Sequence, residues 1–193
     1  MKSDNYYGKK AEGYEAKRKP QLRWARENEI VEDYARKAGK IGRLIDVPCG
    51  TGRFLPLWQK LGVGHVTAFD ASEDMQRIAK RKAGASKVTF WLGNAAKMDE
   101  FARQQFDVAN CIRFLDLIDE PMMHAVVKEL CSITRREIWC TIRLGEKYVP
   151  KSNTATHDRK KFMALISRCG FRVEESTPIF NAGWVVLRLM RKK

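Results

Sequence analysis

The stretch Leu44-Ile45-Asp46-Val47-Pro48-Cys49-Gly50-Thr51-Gly52-Arg53 constrains this chain more than any other. It passes from an apolar, strand-like segment through a glycine turn into a helix-forming segment. Gly50 and Gly52 let the backbone turn sharply and approach a ligand closely. The helix start that follows offers free N–H groups to an anion. Asp46, just before the turn, can accept a hydrogen bond from an ammonium group or a bridging water. Two common readings fail. A P-loop needs Gly-Lys-Ser/Thr, but Arg53-Phe54 follow Gly52. A dinucleotide fingerprint needs a small residue three past Gly52, where Leu55 stands.

Around this turn, short apolar runs alternate with amphipathic segments. Arg43–Val47, Val66–Asp70, Lys87–Leu92, Phe106–Ile112, Ile138–Leu144, Phe171–Thr177 and Trp184–Met190 read as strands. Leu22–Ala38, Arg53–Leu61, Ser72–Ala83, Glu120–Ile133 and Thr154–Cys169 read as helices, the last stopped by Gly170. This predicts an α/β, Rossmann-like doubly wound fold with a seven-stranded, mostly parallel sheet. Only about six residues, including Asn181-Ala182-Gly183, separate the last two strands. That is too few for a parallel crossover, so the final strand is expected to run antiparallel.

Polar residues fall at the expected strand tips. Asp70 is placed to bind ribose hydroxyls, or to lead the following helix as an ordinary capping acid. Asn94, in Gly93-Asn94-Ala95-Ala96, could accept a hydrogen bond from an adenine amino group, or simply form a turn. Phe106–Leu115 runs from the fourth strand into a loop expected at the same ligand-binding edge.

In this order the motifs resemble those of the class I S-adenosylmethionine-dependent methyltransferases, from roughly Tyr6 to the C-terminus. Asp46–Gly52 looks like their first motif, Asp70 like their ribose acid, Asn94 like their adenine contact and Phe106–Leu115 like their fourth motif. Tyr7-x-x-x-Ala11-x-x-Tyr14 is similar to the N-terminal segment that many members fold over the cofactor. Pro48 stands where many members have Gly, and Asn94 where many have Asp. The resemblance implies S-adenosylmethionine as methyl donor, S-adenosylhomocysteine as product, and no metal. It implies a donor site drawn from Tyr7, Tyr14, Asp46, Pro48, Cys49, Gly50, Thr51, Gly52, Asp70, Ala71, Met75, Asn94, Ala95, Cys111, Ile112 and Arg113. A single domain is expected, with residues 1–40 as lid segment and helix and residues 41–193 as the donor-binding domain.

The sulfonium methyl is already activated, so transfer needs chiefly alignment of an acceptor lone pair. A general base helps only where the acceptor keeps its proton near neutral pH. Tyr14, Arg113, Asp116 and His157 are the candidates for such roles. Each has a plainer reading: Arg113 as partner of a nearby acid, Asp116 as an exposed loop carboxylate, His157 as a cap or surface residue before the last helix. The fourth-strand loop, Asn110-Cys111-Ile112-Arg113, lacks the Pro-Pro-aromatic pattern of enzymes that methylate exocyclic amines of DNA bases. It also lacks the Pro-Cys nucleophile of cytosine-C5 enzymes, because Pro48-Cys49 lies in the glycine turn.

The compact chain and the lid-like N-terminal segment favour, as acceptor, an O or N atom of a small molecule or glycoconjugate, small or anionic in character. The net charge of +14 keeps RNA or a nucleic-acid-associated protein open as acceptor. A non-catalytic donor-binding partner subunit is the third reading. The five cysteines, Cys49, Cys111, Cys131, Cys140 and Cys169, are scattered and odd in number, which argues against a disulfide framework or zinc site. With no long apolar run and no signal-like N-terminus, a cytoplasmic protein without a membrane span is expected.

Overall fold

Leu44, Ile45 and Asp46 are all buried, the pattern of a parallel strand covered on both faces. They belong to β1 (Arg43–Asp46). The structure, a computed structural model, describes residues 8–84, 87–150, 154–180 and 183–192. It divides into two compact units, residues 1–95 and 96–193.

The first unit begins with two short helices, α1 (Gly8–Glu12) and α2 (Tyr14–Arg18), followed by the long helix α3 (Leu22–Ala38). After β1 come α4 (Leu55–Lys60), β2 (His65–Asp70), α5 (Glu73–Lys80) and β3 (Val88–Leu92). β2 pairs in parallel with β1 on one side and with β3 on the other. α3 buries Trp24, Ile30, Val31 and Tyr34 at helical spacing. The Ser72 hydroxyl caps α5 by accepting the Met75 N–H at 3.3 Å, and Glu73 and Asp74 sit at its positive end. α4 is shorter than expected: Thr51–Phe54 are turns, and the helix starts only at Leu55.

The second unit contains β4 (Phe106–Cys111), a 3-10 turn at Leu115–Leu117, α6 (Glu120–Ile133) and β5 (Thr134–Gly145). It continues with β6 (Val149–Pro150), β7 (Ala155–Asp158), α7 (Arg159–Arg168), β8 (Phe171–Pro178) and β9 (Trp184–Arg191). β4 and β5 are parallel. β9 runs antiparallel to both β5 and β8, as the short final connection requires. Asn181 and Ala182 of the predicted turn lie outside the described residues.

All seven expected strands are present, joined by two short ones, β6 and β7. The expected helix Thr154–Cys169 is corrected by this pair. Ala155–Asp158 is extended instead, parallel to the end of β5 and antiparallel to β6. Gly145 permits the approach, since a Cβ there would lie 2.7 Å from Thr156 Cγ2. Asp158 then caps α7 by accepting the Lys161 N–H at 2.9 Å.

Candidate functional site

The glycine turn is built from inside the first unit. The Val47–Pro48 peptide is cis, and Gly50 and Gly52 have φ of +53° and +72°. A Cβ on Gly50 would meet nothing within 4 Å, so the turn leaves open space there. A Cβ on Gly52 would lie 2.8 Å from Leu55 Cδ1 and 3.0 Å from Ala79 Cβ. Gly50 thus faces room for a ligand, whereas Gly52 lets the turn pack on α5.

Asp70, at the tip of β2, joins two neighbouring segments. Its Oδ2 accepts the Gly50 N–H at 2.7 Å, and its Oδ1 accepts the Ser72 N–H at 2.8 Å. Burial raises the Asp70 pKa against the opposing pull of the Ser72, Gly50 and Ala71 N–H groups. Each carboxylate oxygen keeps acceptor capacity beyond these bonds, enough for hydroxyl donors. Asp46 is buried and accepts the Trp58 indole N–H at 3.3 Å. The Cys49 N–H bonds to the Phe69 carbonyl at 2.8 Å, which stitches the turn to β2. Burial, helped by the Asp70 and Asp46 carboxylates, pushes the Cys49 thiol well above its ordinary range, so it is no thiolate nucleophile at neutral pH.

The other first-unit candidates separate by exposure. Ala71 and Asn94 are exposed at the tips beyond β2 and β3, whereas Met75 and Ala95 are buried. Tyr14 lies on α2 beneath the Arg18 guanidinium, 5.5 Å from its ring centroid. Tyr7 lies outside the described residues.

The second unit holds the remaining candidates. Cys111 and Ile112 are buried, and Arg113 takes φ of +59°. Asp116 is not the exposed loop carboxylate expected. It is buried and accepts the Trp184 indole N–H at 2.9 Å. His157 is neither a cap nor a surface residue. It sits buried on β7, with Nε2 at 2.7 Å from the Leu115 carbonyl. A carbonyl can only accept, so Nε2 carries the hydrogen and Nδ1 the lone pair. Burial lowers the His157 pKa, although the Leu115 contact and the Glu120 and Asp116 carboxylates oppose it.

This chain is similar to known proteins in sequence and in fold. Residues 44–137 match a family model described as a methyltransferase domain. Over 88 residues the chain is 36% identical to a demethylmenaquinone methyltransferase of Leptospira interrogans, a match covering 43% of this chain and 35% of that protein. The chain thus spans about a third of the length of the curated relatives it matches. The fold is similar to that of the Burkholderia thailandensis 1,6-didemethyltoxoflavin-N1-methyltransferase, solved with 1,6-didemethyltoxoflavin and S-adenosylhomocysteine. There the TM-score is 0.73 at 15% identity, over 98% of this chain and 85% of that one. Magnesium protoporphyrin IX methyltransferase from Synechocystis, solved with S-adenosylhomocysteine, gives 0.70 at 16% identity, over 88% and 84%.

Residues 44–137 thus match a methyltransferase domain, and the fold is similar to that of Rossmann-like methyltransferases.

The neighbours solved with S-adenosylmethionine or S-adenosylhomocysteine bind that donor or its product, and residues of the first unit here fit the same group. The open space at Gly50, the Asp70 oxygens and the exposed Asn94 amide lie on the turn and on the two strand tips of one unit. Among the described residues, no group of three or more His, Cys, Asp or Glu could hold a metal ion. No helix among them is long and apolar enough to cross a membrane.

Sequence reasoning missed two anchors of the turn. Arg53 Nε donates to Asn28 Oδ1, its guanidinium pairs with Glu27 Oε2, both at 2.8 Å, and it stacks 3.9 Å over the Trp24 ring. The Thr51 hydroxyl donates to Glu15 Oε1 at 2.8 Å. A charged residue directly after the second glycine was the available signal for the first. Nothing in the spacing marked the second.

Proposed function

We propose that this protein transfers a methyl group from S-adenosylmethionine to an O or N atom of a small-molecule or glycoconjugate acceptor. The bond from the Gly50 N–H to Asp70 Oδ2 carries the donor assignment, because it sets a ribose-type acid beside a turn with open space. The donor supplies an electrophilic methyl group. The chain's own residues bind and orient it: the turn accommodates its amino-acid end, Asp70 its ribose and Asn94 its adenine. The methyltransferases similar to this chain support a small acceptor, since their names carry a quinone precursor, a toxoflavin precursor and a porphyrin.

The net charge of +14 supports a second reading, in which the acceptor is RNA or a nucleic-acid-associated protein. None of the five cysteines is in a disulfide, which fits a reducing, cytoplasmic setting. Calorimetry with S-adenosylhomocysteine, followed by transfer of labelled methyl groups to metabolite and RNA pools, tests these readings. Labelled small molecules support the first. Labelled RNA, with affinity falling steeply in salt, would favour the second. Donor binding without turnover on any pool would make the chain a binding subunit.

A further inference from the structure

We propose that Glu15 is a positioning residue for the glycine turn, acting through Thr51, and that it closes an ionic strap joining residues 8–18 to α5 and to Arg81 and Lys82 just after it. The inference rests on reading the turn as the donor site. The strap is in register on both sides. The Gly8 N–H donates to Asp74 Oδ2 at 2.8 Å. Glu12 Oε1 takes the Arg77 guanidinium at 3.3 Å and that of Arg81 at 4.0 Å. Glu15 Oε1 pairs with the Lys82 ammonium. The contacts run in the same order along both segments, from Gly8 with Asp74 through Glu12 with Arg77 to Glu15 with Lys82.

Exposed pairs such as Glu12 with Arg77 contribute little singly. Glu15 differs because the oxygen that holds Lys82 also accepts the Thr51 hydroxyl. Thr51 is only 2% exposed and lies between the two glycines. Loss of the carboxylate would leave a buried hydroxyl donor without its charged acceptor, and the turn would loosen around it. Glu15 therefore links residues 8–18 to the shape of the turn.

The test uses the full chain, S-adenosylhomocysteine calorimetry and backbone amide exchange on the parent, Glu15→Ala and Glu15→Gln. Glu15→Ala is expected to weaken binding on the order of tenfold and to speed exchange across residues 8–18 and 47–53. Glu15→Gln should restore most of both at low salt, because its amide oxygen still accepts the Thr51 hydroxyl. The parent's affinity should fall more steeply than that of Glu15→Gln as salt rises to ~0.5 M. The proposal is overturned if Glu15→Ala leaves exchange at residues 47–53 unchanged, or if Glu15→Gln is as impaired as Glu15→Ala. Failure of the parent to bind S-adenosylhomocysteine would instead overturn the donor-site reading, while exchange in the turn would still decide the role of Glu15.

Discussion

Asp70 Oδ2 accepts the Gly50 N–H at 2.7 Å, so the acid at the tip of β2 holds the glycine turn that follows β1. The same carboxylate takes the Ser72 N–H at the start of α5. One side chain thus ties together the glycine turn, the tip of β2 and the start of α5.

Asp70→Ala removes the acceptor of two N–H groups at once. It should cost about 2–4 kcal/mol in urea unfolding, and S-adenosylhomocysteine binding should fall at least ~tenfold. Asp70→Asn keeps one acceptor oxygen and should cost about half as much stability. An alanine variant that binds like the parent would remove Asp70 from the donor site.

The two glycines should respond differently to alanine. Both have positive φ, which costs a non-glycine residue roughly 1–2 kcal/mol. Gly52→Ala adds a clash with Leu55 and Ala79, worth about another 1–3 kcal/mol. Gly50→Ala adds no clash, so its melting temperature should drop less. Its new methyl group enters the open space, so Gly50→Ala should lose S-adenosylhomocysteine affinity out of proportion to its stability. Thermal melts paired with calorimetry separate the two effects.

Arg53 and Glu27 form a buried pair, with side chains 8% and 0% exposed. Arg53→Met would strand the Glu27 carboxylate, although Arg23 also reaches it at 2.7 Å. A loss of roughly 3 kcal/mol is expected in denaturant unfolding, at the low end for a broken buried pair because of Arg23. Loss of less than about 1 kcal/mol would show that solvent or Arg23 replaces Arg53 fully.

His157 predicts a pH effect. Its folded pKa lies below 6.5, chiefly because of burial. Below pH 6.5 the unfolded chain therefore binds more protons at this position. The stabilising contribution of the neutral imidazole is full above pH 6.5 and is lost as pH falls through the folded value. His157→Gln can still donate to the Leu115 carbonyl but does not titrate. Melting curves from pH 7 down to ~5 should converge if His157 is responsible for acid sensitivity. Parallel curves would assign that sensitivity to other groups.

Much of this fold is legible in the chain because the signals are local. The all-buried runs at Leu44–Asp46 and Phe106–Cys111, the Ser72 cap and the short connection before Trp184 each act within a few residues. The two glycines could be read from spacing alone, since a tight turn after a strand demands them, and Asp70 from its place at the end of the next apolar run. The roles of Asp116, His157 and Arg53 could not. Their partners lie 68, 42 and 26 residues away in Trp184, Leu115 and Glu27, and no local pattern encodes those meetings. β7 escaped for the same reason: Ala155–Asp158 is extended only because the end of β5 offers it a ladder. Local patterning in the chain sets the strand–turn–helix frame and its glycine turn. Tertiary structure alone decided which polar side chains are buried and what they hold, because burial and pairing depend on residues brought together only by folding.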